Sequence, residues 1–529
     1  MQQPTTLIGH HARYRPEHTA VVFADGRQTR RLTWRQFHRR VNRLANALLA
    51  LGIKQGDRVA TVLPNSLELL EIYWAVPRIG AVLVPLSPLL NAAGLGSLLA
   101  DAGAAALFIH PAAAAEVDGL GQALPALARE RIVVVGEGDP SSAAPLDSGT
   151  SPGDHPAYAA LTEAASEEEP AVPHPAGDDI FAIMYSSGTT GQPKGILQSH
   201  ACRAAYCTLL ASTWRMTPES VVLHSGGIVF NGALLTMFPA FYLGATYVLA
   251  GAFDAALAID LIAQEKVTHT VVVPSQIVAI LDHPDFAAEK LASIETFLSV
   301  GAPLLQERKQ ALNRLLPNRF YELYGLTEGF ITVLDRSQSL RKPLSVGTPP
   351  QFYELRIVGE DGRDLPPGAV GEVVGKGPIL MSGYYNRPEL TAQTLKDGWL
   401  HTGDLGYRDE EGYLHLVDRK KDMIDSGGVK VYPKDIEEVA ARHPAVREVA
   451  VFGIPHDKWG ETPHAAIVLR QPAAASPTEL RDWVNERVAA KYQRLHSVEI
   501  VPDFPRNAAG KTLKRTLRDP WWVGRDRQI

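Results

Sequence analysis

Tyr185-Ser-Ser-Gly-Thr-Thr-Gly-Gln-Pro-Lys-Gly195 is a loop sequence that directly follows the apolar, strand-like run Ile180-Phe-Ala-Ile-Met184. Glycines let backbone amides turn toward one point, and the hydroxyls and Lys194 add donors and positive charge, which is how a loop holds a polyphosphate. The spacing differs from the P-loop, because Gly195 rather than a hydroxyl residue follows the lysine. Clusters of Gly, Ser and Thr also form ordinary surface turns, so the loop alone leaves both interpretations open.

Length and composition predict a globular protein of two or more domains. The 529 residues (57.4 kDa) exceed the size of one ordinary domain. With 45% hydrophobic and 21% charged residues, the composition is typical of globular proteins in water. The net charge of −6 gives no general attraction to nucleic acid. A nucleic-acid partner is therefore not expected.

The N-terminal sequence and the cysteine count predict a cytoplasmic protein. Met1-Gln-Gln-Pro-Thr-Thr-Leu-Ile8 lacks the charged segment and apolar run of a signal peptide. No stretch reaches the ~18 uncharged apolar residues that a membrane span needs. Cys202 and Cys207 are too few for a disulfide framework or a thiolate metal site. Integral membrane association is not expected, whereas peripheral membrane contact and a homodimer stay open.

Alternating helix and strand patterns predict an α/β fold for most of the chain. A helix pattern over 37–49 precedes a strand candidate at 58–63, and a second helix and strand follow at 66–76 and 81–84. Such repeats are typical of helices packed on a mostly parallel sheet. Residues 136–177 are rich in Pro, Ala, Ser, Gly and acidic residues, and we interpret them as a surface excursion.

The charged stretch Asp418-Arg-Lys-Lys-Asp422 indicates a boundary between two domains. Beyond it, helix and strand patterns alternate as in a small α+β domain, with one helix predicted over 478–492. We therefore predict a large N-terminal multi-subdomain α/β domain over residues 1–418 and a small α+β domain over 419–529.

Four further segments carry residue types suited to a nucleotide and to reactions of an acid. Gly301-Ala-Pro303 is a small-residue turn against which a flat ring can lie. Tyr321-Glu-Leu-Tyr-Gly-Leu-Thr-Glu328 combines an aromatic ring, a hydroxyl and a carboxylate. Trp399-Leu-His-Thr-Gly-Asp404 places an acid in a glycine turn, where it can accept two vicinal ribose hydroxyls. Pro505-Arg-Asn-Ala-Ala-Gly-Lys511 ends in a lysine on a glycine turn.

Together with the glycine loop, and in this order, these segments closely resemble the adenylate-forming superfamily of acyl- and aryl-CoA synthetases, luciferases and peptide-synthetase adenylation domains. The resemblance runs from about Leu32-Thr-Trp34 to about Arg518 and is strongest to bacterial fatty-acyl and aryl-acid CoA synthetases. It implies an enzyme that uses ATP, Mg²⁺ and CoA to turn a carboxylic acid into an acyl-adenylate and then into acyl-CoA, releasing pyrophosphate and AMP. In this family the small C-terminal domain is mobile and rotates between the two steps.

The resemblance implies a role for individual residues. Lys511 matches the lysine that bridges the substrate carboxylate and the α-phosphate, Glu328 matches the Mg²⁺-binding glutamate, and Thr327 lies beside the α-phosphate. Glu322 is equally a candidate for an ion pair, and Lys421 is equally a candidate for an ordinary charged residue in a linker. The sequence leaves the functional and the structural roles of both residues open. The implied CoA and hinge residues are Lys421, Ser426, Gly427 and Gly428, and the implied ATP-binding residues are Ser186, Ser187, Gly188, Thr189, Thr190, Gly191, Lys194, Gly301, Ala302, Pro303, Glu322, Leu323, Tyr324, Gly325, Asp404 and Arg419.

The candidate acyl pocket departs from its relatives in one stretch. Many relatives carry Pro-aromatic-aromatic-His before the pocket helix, whereas Gly226-Gly-Ile-Val-Phe-Asn-Gly232 places Val229 near the histidine position. The predicted lining is uncharged, so the extra ionic group of an amino acid or a dicarboxylate would lack a partner. We therefore predict an apolar fatty or aromatic acid as substrate. The predicted lining residues are Val229, Phe230, Asn231, Gly232, Val300, Leu326 and Phe330.

Two other functions stay open on the sequence. One is transfer of the acyl group to the phosphopantetheine of a carrier protein, for which free CoA would be a poor acceptor. The other is a non-catalytic protein that binds an acyl group or a nucleotide on the same scaffold. Lys511, Glu328, Asp404 and the complete glycine loop argue against the second of these.

Overall fold

The computed structural model describes most of the chain. The described residues are 3–120, 127–136, 150–151, 155–186, 194–420, 422–427, 429–472, 474–506 and 512–523. Contacts divide the chain into two compact units, Met1–Glu354 with Lys376–Leu400 and Leu355–Gly375 with His401–Ile529.

Strands in the described part of the chain are numbered in chain order. They are Thr19–Ala24 (β1), Thr29–Thr33 (β2), Arg58–Val62 (β3), Val82–Leu86 (β4), Ala106–Ile109 (β5), Ile132–Val134 (β6), Thr150–Ser151 (β7), His155–Pro156 (β8), Ile180–Ser186 (β9), Lys194–Ser199 (β10), Val221–His224 (β11), Thr246–Ala250 (β12), His269–Val272 (β13), Thr296–Val300 (β14), Phe320–Gly325 (β15), Ile331–Leu334 (β16), Glu354–Val358 (β17), Gly371–Lys376 (β18), Gly383–Tyr384 (β19), Leu395–Lys396 (β20), Trp399–Arg408 (β21), Leu414–Arg419 (β22), Ile424–Ser426 (β23), Val429–Val431 (β24), Val446–His456 (β25), Gly460–Leu469 (β26) and Ser497–Ile500 (β27).

The α-helices of the same residues are numbered likewise. They are Leu7–Tyr14 (α1), Trp34–Ala50 (α2), Leu67–Arg78 (α3), Ala92–Ala102 (α4), Ala114–Gly119 (α5), Tyr158–Glu163 (α6), His200–Thr213 (α7), Asn231–Leu243 (α8), Ala255–Glu265 (α9), Pro274–Leu281 (α10), Gln306–Leu315 (α11), Pro388–Thr394 (α12), Pro433–Ala440 (α13), Pro477–Asn485 (α14) and Lys514–Arg518 (α15). No helix of the described ranges is long and apolar enough to span a bilayer.

The first unit is built on two mixed sheets. In the order β16-β15-β14-β13-β11-β12-β1-β2, the strands from β15 to β1 are parallel and the two outer strands are antiparallel. In the order β19-β10-β9-β4-β3-β5-β6, the strands from β9 to β6 are parallel, and β10 and β19 are antiparallel. Parallel pairs need long crossover connections, most of which contain helices. The predicted α/β fold is therefore confirmed, with two largely parallel sheets.

Helices α7 and α8 form a layer between these two sheets. α8 packs on β11, β12 and β13, α7 packs on β9 and β10, and the two helices pack against each other. α8 is almost entirely apolar, as expected for a helix that has protein on all sides. The ring of Trp74 lies 5.5 Å from that of Phe238 and 4.8 Å from that of Phe241. Side chains between the two helices are consequently shielded from water.

The second unit contains two further sheets. One includes β17, β18, β21 and β22, and the other has the order β24-β23-β26-β25 with β27 parallel to β26. The predicted α+β pattern of the C-terminal part is confirmed, but the helix predicted over 478–492 is wrong in length. α14 ends at Asn485, whose side-chain amide binds both the N–H and the carbonyl of Leu495 and turns the chain back.

Part of the predicted surface excursion packs against helices of the first unit. Residues 155–177 of the predicted excursion pack against α2 and α3: the Tyr158 hydroxyl donates to Glu71, and Arg78 donates to the Pro170 carbonyl. The predicted domain boundary between residues 418 and 419 marks the part of the chain that we expect to rotate during catalysis. The division of the chain by contacts does not measure rotation, so this boundary stays a prediction.

Candidate active site

The glycine loop connects two neighbouring antiparallel strands of the first unit, β9 and β10. At the base of this hairpin Ser186 pairs with Lys194 and Tyr185 pairs with Gly195. A Cβ on Gly195 would lie 2.7 Å from Ile183 Cγ2, so only glycine fits there. The predicted phosphate-binding residues between the strands, Ser187, Gly188, Thr189, Thr190 and Gly191, lie outside the described residues.

Lys194 and Glu328 meet at Tyr384, a residue that sequence reasoning missed. Lys194 Nζ lies 5.8 Å from the centroid of the Tyr384 ring, within cation–π range. The Tyr384 hydroxyl donates to Glu328 Oε1 at 2.9 Å. Burial, and after it the Glu328 carboxylate, raises the pKa of Tyr384, so the phenol keeps its proton and remains a donor. Tyr384 therefore joins the base of the hairpin to the predicted Mg²⁺ ligand.

We expect Tyr384→Phe to weaken the use of Mg²⁺·ATP without unfolding the chain. The change removes only the hydroxyl that orients the Glu328 carboxylate, and one such hydrogen bond corresponds to an increase of about 3- to 10-fold in the half-saturating Mg²⁺·ATP concentration. Steady-state pyrophosphate release measures this. Tyr385→Phe, the same change at the neighbouring residue, serves as the control. Equal effects of the two substitutions would contradict the assigned contact.

The turn that carries Thr327 and Glu328 is held from three sides. Gln198 Nε2 donates to the Thr327 carbonyl at 2.7 Å, and the Met381 amide donates to the Glu328 carbonyl at 2.8 Å. The Gly329 amide closes the turn onto the Leu326 carbonyl at 3.0 Å. These three bonds end on backbone atoms of the turn, so none of them occupies the Thr327 or Glu328 side chain.

The predicted adenine surface lies at the carboxyl ends of β14 and β15. Val300 pairs with Leu323 at these ends, and Gly301, Ala302 and Pro303 follow directly as an exposed turn. Tyr324 is half-buried and Gly325 is exposed. In open α/β sheets, ligands bind outside the carboxyl ends of the parallel strands. The position therefore agrees with the predicted role.

Glu322 forms the ion pair that the sequence left open. Its carboxylate is buried and lies 2.5 Å from Lys309 Nζ, a lysine of α11. A buried acid normally requires such a partner. A role toward adenine remains a prediction.

The predicted acyl-pocket residues gather around the start of α8. Asn231 is the first residue of the helix and Phe230 precedes it. A Cβ on Gly232 would lie 3.9 Å from Val300 Cγ1, an ordinary van der Waals distance, so these two residues are neighbours. Val229 and Phe330 are buried, and Leu326 is half-buried next to Thr327. These residues can contact an acyl group that leads to the Thr327–Glu328 turn.

Arg203 is the charged residue that the sequence prediction of this pocket missed. Its Nη1 donates to Asn231 Oδ1 at 3.0 Å, and its side chain is completely buried. The surroundings of the predicted lining are therefore not free of charge. The sequence does contain a signal, because Arg203 is the only arginine or lysine of α7 and lies among small and apolar residues.

In the second unit, Asp404 and Arg419 face each other on β21 and β22. Arg419 Nε lies 3.3 Å from Asp404 Oδ1, and Asp404 is 7% exposed. An arginine that contacts a buried carboxylate in this way orients it, as a ribose ligand requires. Asp404 and Arg419 are therefore brought together as predicted.

The described residues of the predicted CoA loop lie in the hairpin of β23 and β24. Ser426 pairs with Val429, and the Gly427 amide donates to the Trp459 carbonyl at 2.7 Å. Gly427 has a φ of +64°, and a Cβ there would lie 2.6 Å from the Trp459 ring. Gly428, the hinge candidate Lys421 and the catalytic candidate Lys511 lie outside the described residues.

The carboxyl of Asp418, next to the predicted hinge, has a pKa well above its usual value. Burial raises the pKa of Asp418 to about 6, although Lys514 and the amides of Arg419 and Lys434 oppose the shift. In the unfolded chain the carboxyl loses its proton near pH 4. Because the folded chain binds the extra proton between these values, the contribution of Asp418 to stability falls as the pH rises from about 4 to about 6.

We expect Asp418→Asn to flatten the pH dependence of stability over this interval. The amide has no proton to lose, so the decline from pH 4 to pH 6 should become smaller. Thermal unfolding midpoints of both proteins at pH 4, 5, 6 and 7 measure the slopes. The same change at the exposed Asp425 controls for loss of an aspartate. Parallel curves for wild type and Asp418→Asn would contradict the expectation.

A resident metal cluster is not built into the described residues. No three histidine, cysteine or carboxylate side chains among them gather as a metal site. Mg²⁺ usually uses one or two carboxylates together with the phosphates of a nucleotide. The Glu328 carboxylate, oriented by Tyr384, fits this mode of binding.

Known proteins resemble the chain over nearly its full length. It is 36% identical over 513 residues to the feruloyl-CoA synthase of Amycolatopsis sp, with 96% of each chain covered. It is 33% identical to the fatty acid–[acyl-carrier-protein] ligase ScoC of Streptomyces coeruleorubidus, with 98% of this chain and 96% of that one covered. Among solved structures, ATP-bound MatB from Rhodopseudomonas palustris matches with a TM-score of 0.86 and 28% identity, covering 98% of this chain and 99% of that one.

The family comparison agrees with the resemblance inferred from the motifs. The AMP-binding enzyme family matches residues 8–385, and the AMP-binding enzyme C-terminal domain matches residues 435–511. The first match contains the glycine loop and the Thr327–Glu328 turn, and the second ends at Lys511. The chain therefore belongs to the AMP-binding enzyme family.

Proposed function

We propose that the protein is an ATP-dependent acid–CoA ligase that forms an acyl-adenylate and then an acyl-CoA. The convergence of Lys194, Tyr384 and Glu328 at the base of the glycine hairpin carries this proposal. A lysine beside a glycine-rich loop suits the β- and γ-phosphates of ATP, and an oriented carboxylate suits the accompanying cation. The similarity to CoA ligases over nearly the whole chain supports CoA as the acceptor of the acyl group.

In the first step the substrate carboxylate attacks the α-phosphate of ATP and pyrophosphate leaves. Attack by one anion on another is slow, so catalysis depends on fixed positive charge and on positioning. Lys511 would bridge the two reacting groups, Lys194 would hold the outer phosphates, and Thr327 would bind the α-phosphate. Glu328 would hold Mg²⁺, which neutralises charge on the phosphates when it is bound. Asp404 would fix the ribose through both of its hydroxyls.

In the second step the thiol of CoA attacks the carbonyl of the acyl-adenylate and AMP leaves. The predicted rotation of residues 419–529 would withdraw Lys511 and bring Ser426, Gly427 and Gly428 toward the pantetheine arm. Lys421 would act at the hinge. These roles are supported by the match of the motifs to the family and by the narrow fit of Gly427 against Trp459.

The substrate class that we propose is a fatty or aromatic acid. Val229, Phe230, Val300 and Phe330 offer an apolar surface around the start of α8. An apolar acyl group gains about 25 cal/mol per Å² of surface that this lining removes from water. The feruloyl-CoA synthase and long-chain-fatty-acid–CoA ligase relatives support this class.

Transfer to a carrier protein is the second candidate. The fatty acid–[acyl-carrier-protein] ligase ScoC is similar over 98% of this chain, so the same scaffold serves that acceptor in a relative. A cytoplasmic location, a homodimer and peripheral membrane contact are also proposals. The first is supported by two free buried cysteines.

The decisive experiment is pyrophosphate release with ATP and Mg²⁺ over a panel of acids, each with and without CoA. The panel contains short, medium and long fatty acids, benzoate, cinnamates and amino acids. Turnover on a fatty or aromatic acid that depends on CoA is the expected result. A single burst that only a phosphopantetheinylated carrier protein relieves would favour the second candidate. Absence of pyrophosphate release from every acid would overturn both.

A further inference from the structure

Asp101, an acidic residue near the end of α4, joins two segments of the candidate ATP site. Its side chain is only 13% exposed. The Tyr185 hydroxyl donates to its Oδ2 at 2.6 Å, and Arg387 Nη2 donates to its Oδ1 at 2.6 Å. Each oxygen of this carboxylate therefore binds one of two segments that are far apart in the sequence.

The first of these segments is the base of the glycine hairpin. Tyr185 pairs with Gly195 across the two strands, and a Cβ on Gly195 would lie 3.2 Å from Cζ of the Tyr185 ring. The ring is thus packed directly on this glycine. Burial, and after it the Asp101 carboxylate, raises the pKa of Tyr185, so the phenol keeps its proton and remains a donor. Asp101 consequently fixes the hairpin next to the start of its loop.

The hairpin base is held on both of its faces. Successive side chains of a strand point to opposite faces, so Lys194 leaves the hairpin on the face opposite to that of Tyr185. On that second face Lys194 lies beside the Tyr384 ring, whose hydroxyl donates to Glu328. The contact of Tyr185 with Asp101 therefore supports Lys194 from behind.

The second segment that Asp101 binds carries Tyr384. The Arg387 amide donates to the Tyr384 carbonyl at 3.2 Å. Thr391 Oγ1 donates to the Arg387 carbonyl and accepts from the Tyr384 amide, both at 2.9 Å. The Tyr385 amide donates to the Gly195 carbonyl at 2.7 Å. A displacement of Arg387 is therefore transmitted to Tyr384 and to the hairpin.

The burial of Asp101 gives these two contacts energetic weight. An ion pair between exposed side chains contributes little, because water screens it and both side chains lose freedom. The carboxylate of Asp101 is mostly shielded from water and also accepts a hydrogen bond from a neutral phenol. Charge-assisted hydrogen bonds in such surroundings are among the stronger ones in proteins. Loss of Asp101 would leave both donors without this acceptor.

We propose that Asp101 is a positioning residue for ATP, which holds Lys194 and Glu328 in the arrangement that the outer phosphates and their cation require. The proposal rests on the proposed function, in which these two residues serve the β- and γ-phosphates and Mg²⁺. AMP and the acyl-adenylate lack both outer phosphates. Asp101 should therefore influence the binding of ATP and have little influence on the binding of AMP or on the thioester step.

The test compares the dissociation constants of ATP and AMP, measured by titration calorimetry with Mg²⁺ and without an acid, so that no turnover occurs. Asp101→Ala is expected to raise the Kd of ATP by about 10- to 100-fold and to leave that of AMP nearly unchanged. Acyl-CoA formation from supplied acyl-adenylate should also be retained. A residue that is only structural would lower the unfolding midpoint without changing the ratio of the two constants.

Further variants separate the two contacts of Asp101. Tyr185→Phe removes one donor and should raise the Kd of ATP by about 3- to 10-fold. In the Asp101→Ala protein the same change should add nothing, because the hydroxyl has already lost its acceptor. Asp101→Asn keeps one acceptor oxygen and should retain part of the affinity. Asp118→Ala removes an aspartate that pairs with His155, and as the control it should leave both constants unchanged.

Two results would overturn the inference. They are an equal weakening of ATP and AMP binding in Asp101→Ala, and an unchanged affinity for ATP in Tyr185→Phe. The second result decides the matter even if Asp101→Ala does not fold. If the wild type binds ATP but no acid releases pyrophosphate, the proposed function fails, whereas the ratio of the two constants still tests Asp101. A wild type that binds no ATP would overturn both.

Discussion

Lys511→Ala is expected to slow formation of the acyl-adenylate by about 100-fold or more while largely sparing the thioester step. The family places this lysine between the substrate carboxylate and the α-phosphate, where it neutralises two anions that would otherwise repel each other. Removing one preorganised donor of this kind typically costs a factor of ~100–1,000 in rate. The predicted rotation of the small domain would withdraw the lysine before the second step, so its absence should have little effect there.

The two half-reactions are measured separately. Pyrophosphate release under single-turnover conditions reports the first, and acyl-CoA formation from supplied acyl-adenylate reports the second. Lys491→Ala, a change at an exposed lysine of the same domain, is the control and should affect neither. Equal losses in both half-reactions for Lys511→Ala would be incompatible with a lysine that acts in only one of two orientations of the small domain.

Gly329→Ala is expected to lower the thermal unfolding midpoint by roughly 10 °C or to prevent folding, through loss of more than about 4 kcal/mol. The residue has a φ of +107°, a conformation that L-residues with a Cβ rarely adopt. A Cβ there would also overlap the Ile379 carbonyl oxygen and lie 2.7 Å from Leu380 Cα. These are backbone atoms, so relief requires the chain to move. The neighbouring Glu328 would move with it, and adenylation should fall as well.

The substitution Gly362→Ala separates the effect of steric overlap on stability from the effect of a positive φ. Gly362 also has a positive φ, +76°, but no atom lies within 4 Å of the position that a Cβ would take there. This control should therefore cost only the roughly 1–2 kcal/mol of the unfavourable φ. Circular dichroism melts of the three proteins provide the comparison. If the two variants melted at the same temperature, the steric overlap at Gly329 would not contribute to the loss of stability.

The spacing of apolar residues predicted several of the helices and strands in the described part of the chain. The strand candidate at 58–63 corresponds to Arg58–Val62, and the helix candidate at 66–76 corresponds to Leu67–Arg78. Both are governed by the spacing of apolar residues, which is a local property. The helix predicted over 478–492 was too long because Asn485 binds Leu495, ten residues away. The spacing of apolar residues along the chain gives no information about that contact.

The family and the candidate nucleotide-binding residues could be predicted from the linear order of amino acids, because a loop that holds phosphates needs glycines and hydroxyls at fixed short spacings. Which side chains support those residues is established only on folding. Tyr384 reaches Glu328 across 56 residues, and Arg203 reaches Asn231 across 28, on elements that meet only after the sheets and helices pack. Whether a charged residue such as Arg203 is solvated or buried depends on that packing. The candidate ATP-binding residues could therefore be predicted from local motifs, whereas the contacts that support them join distant residues brought together by folding.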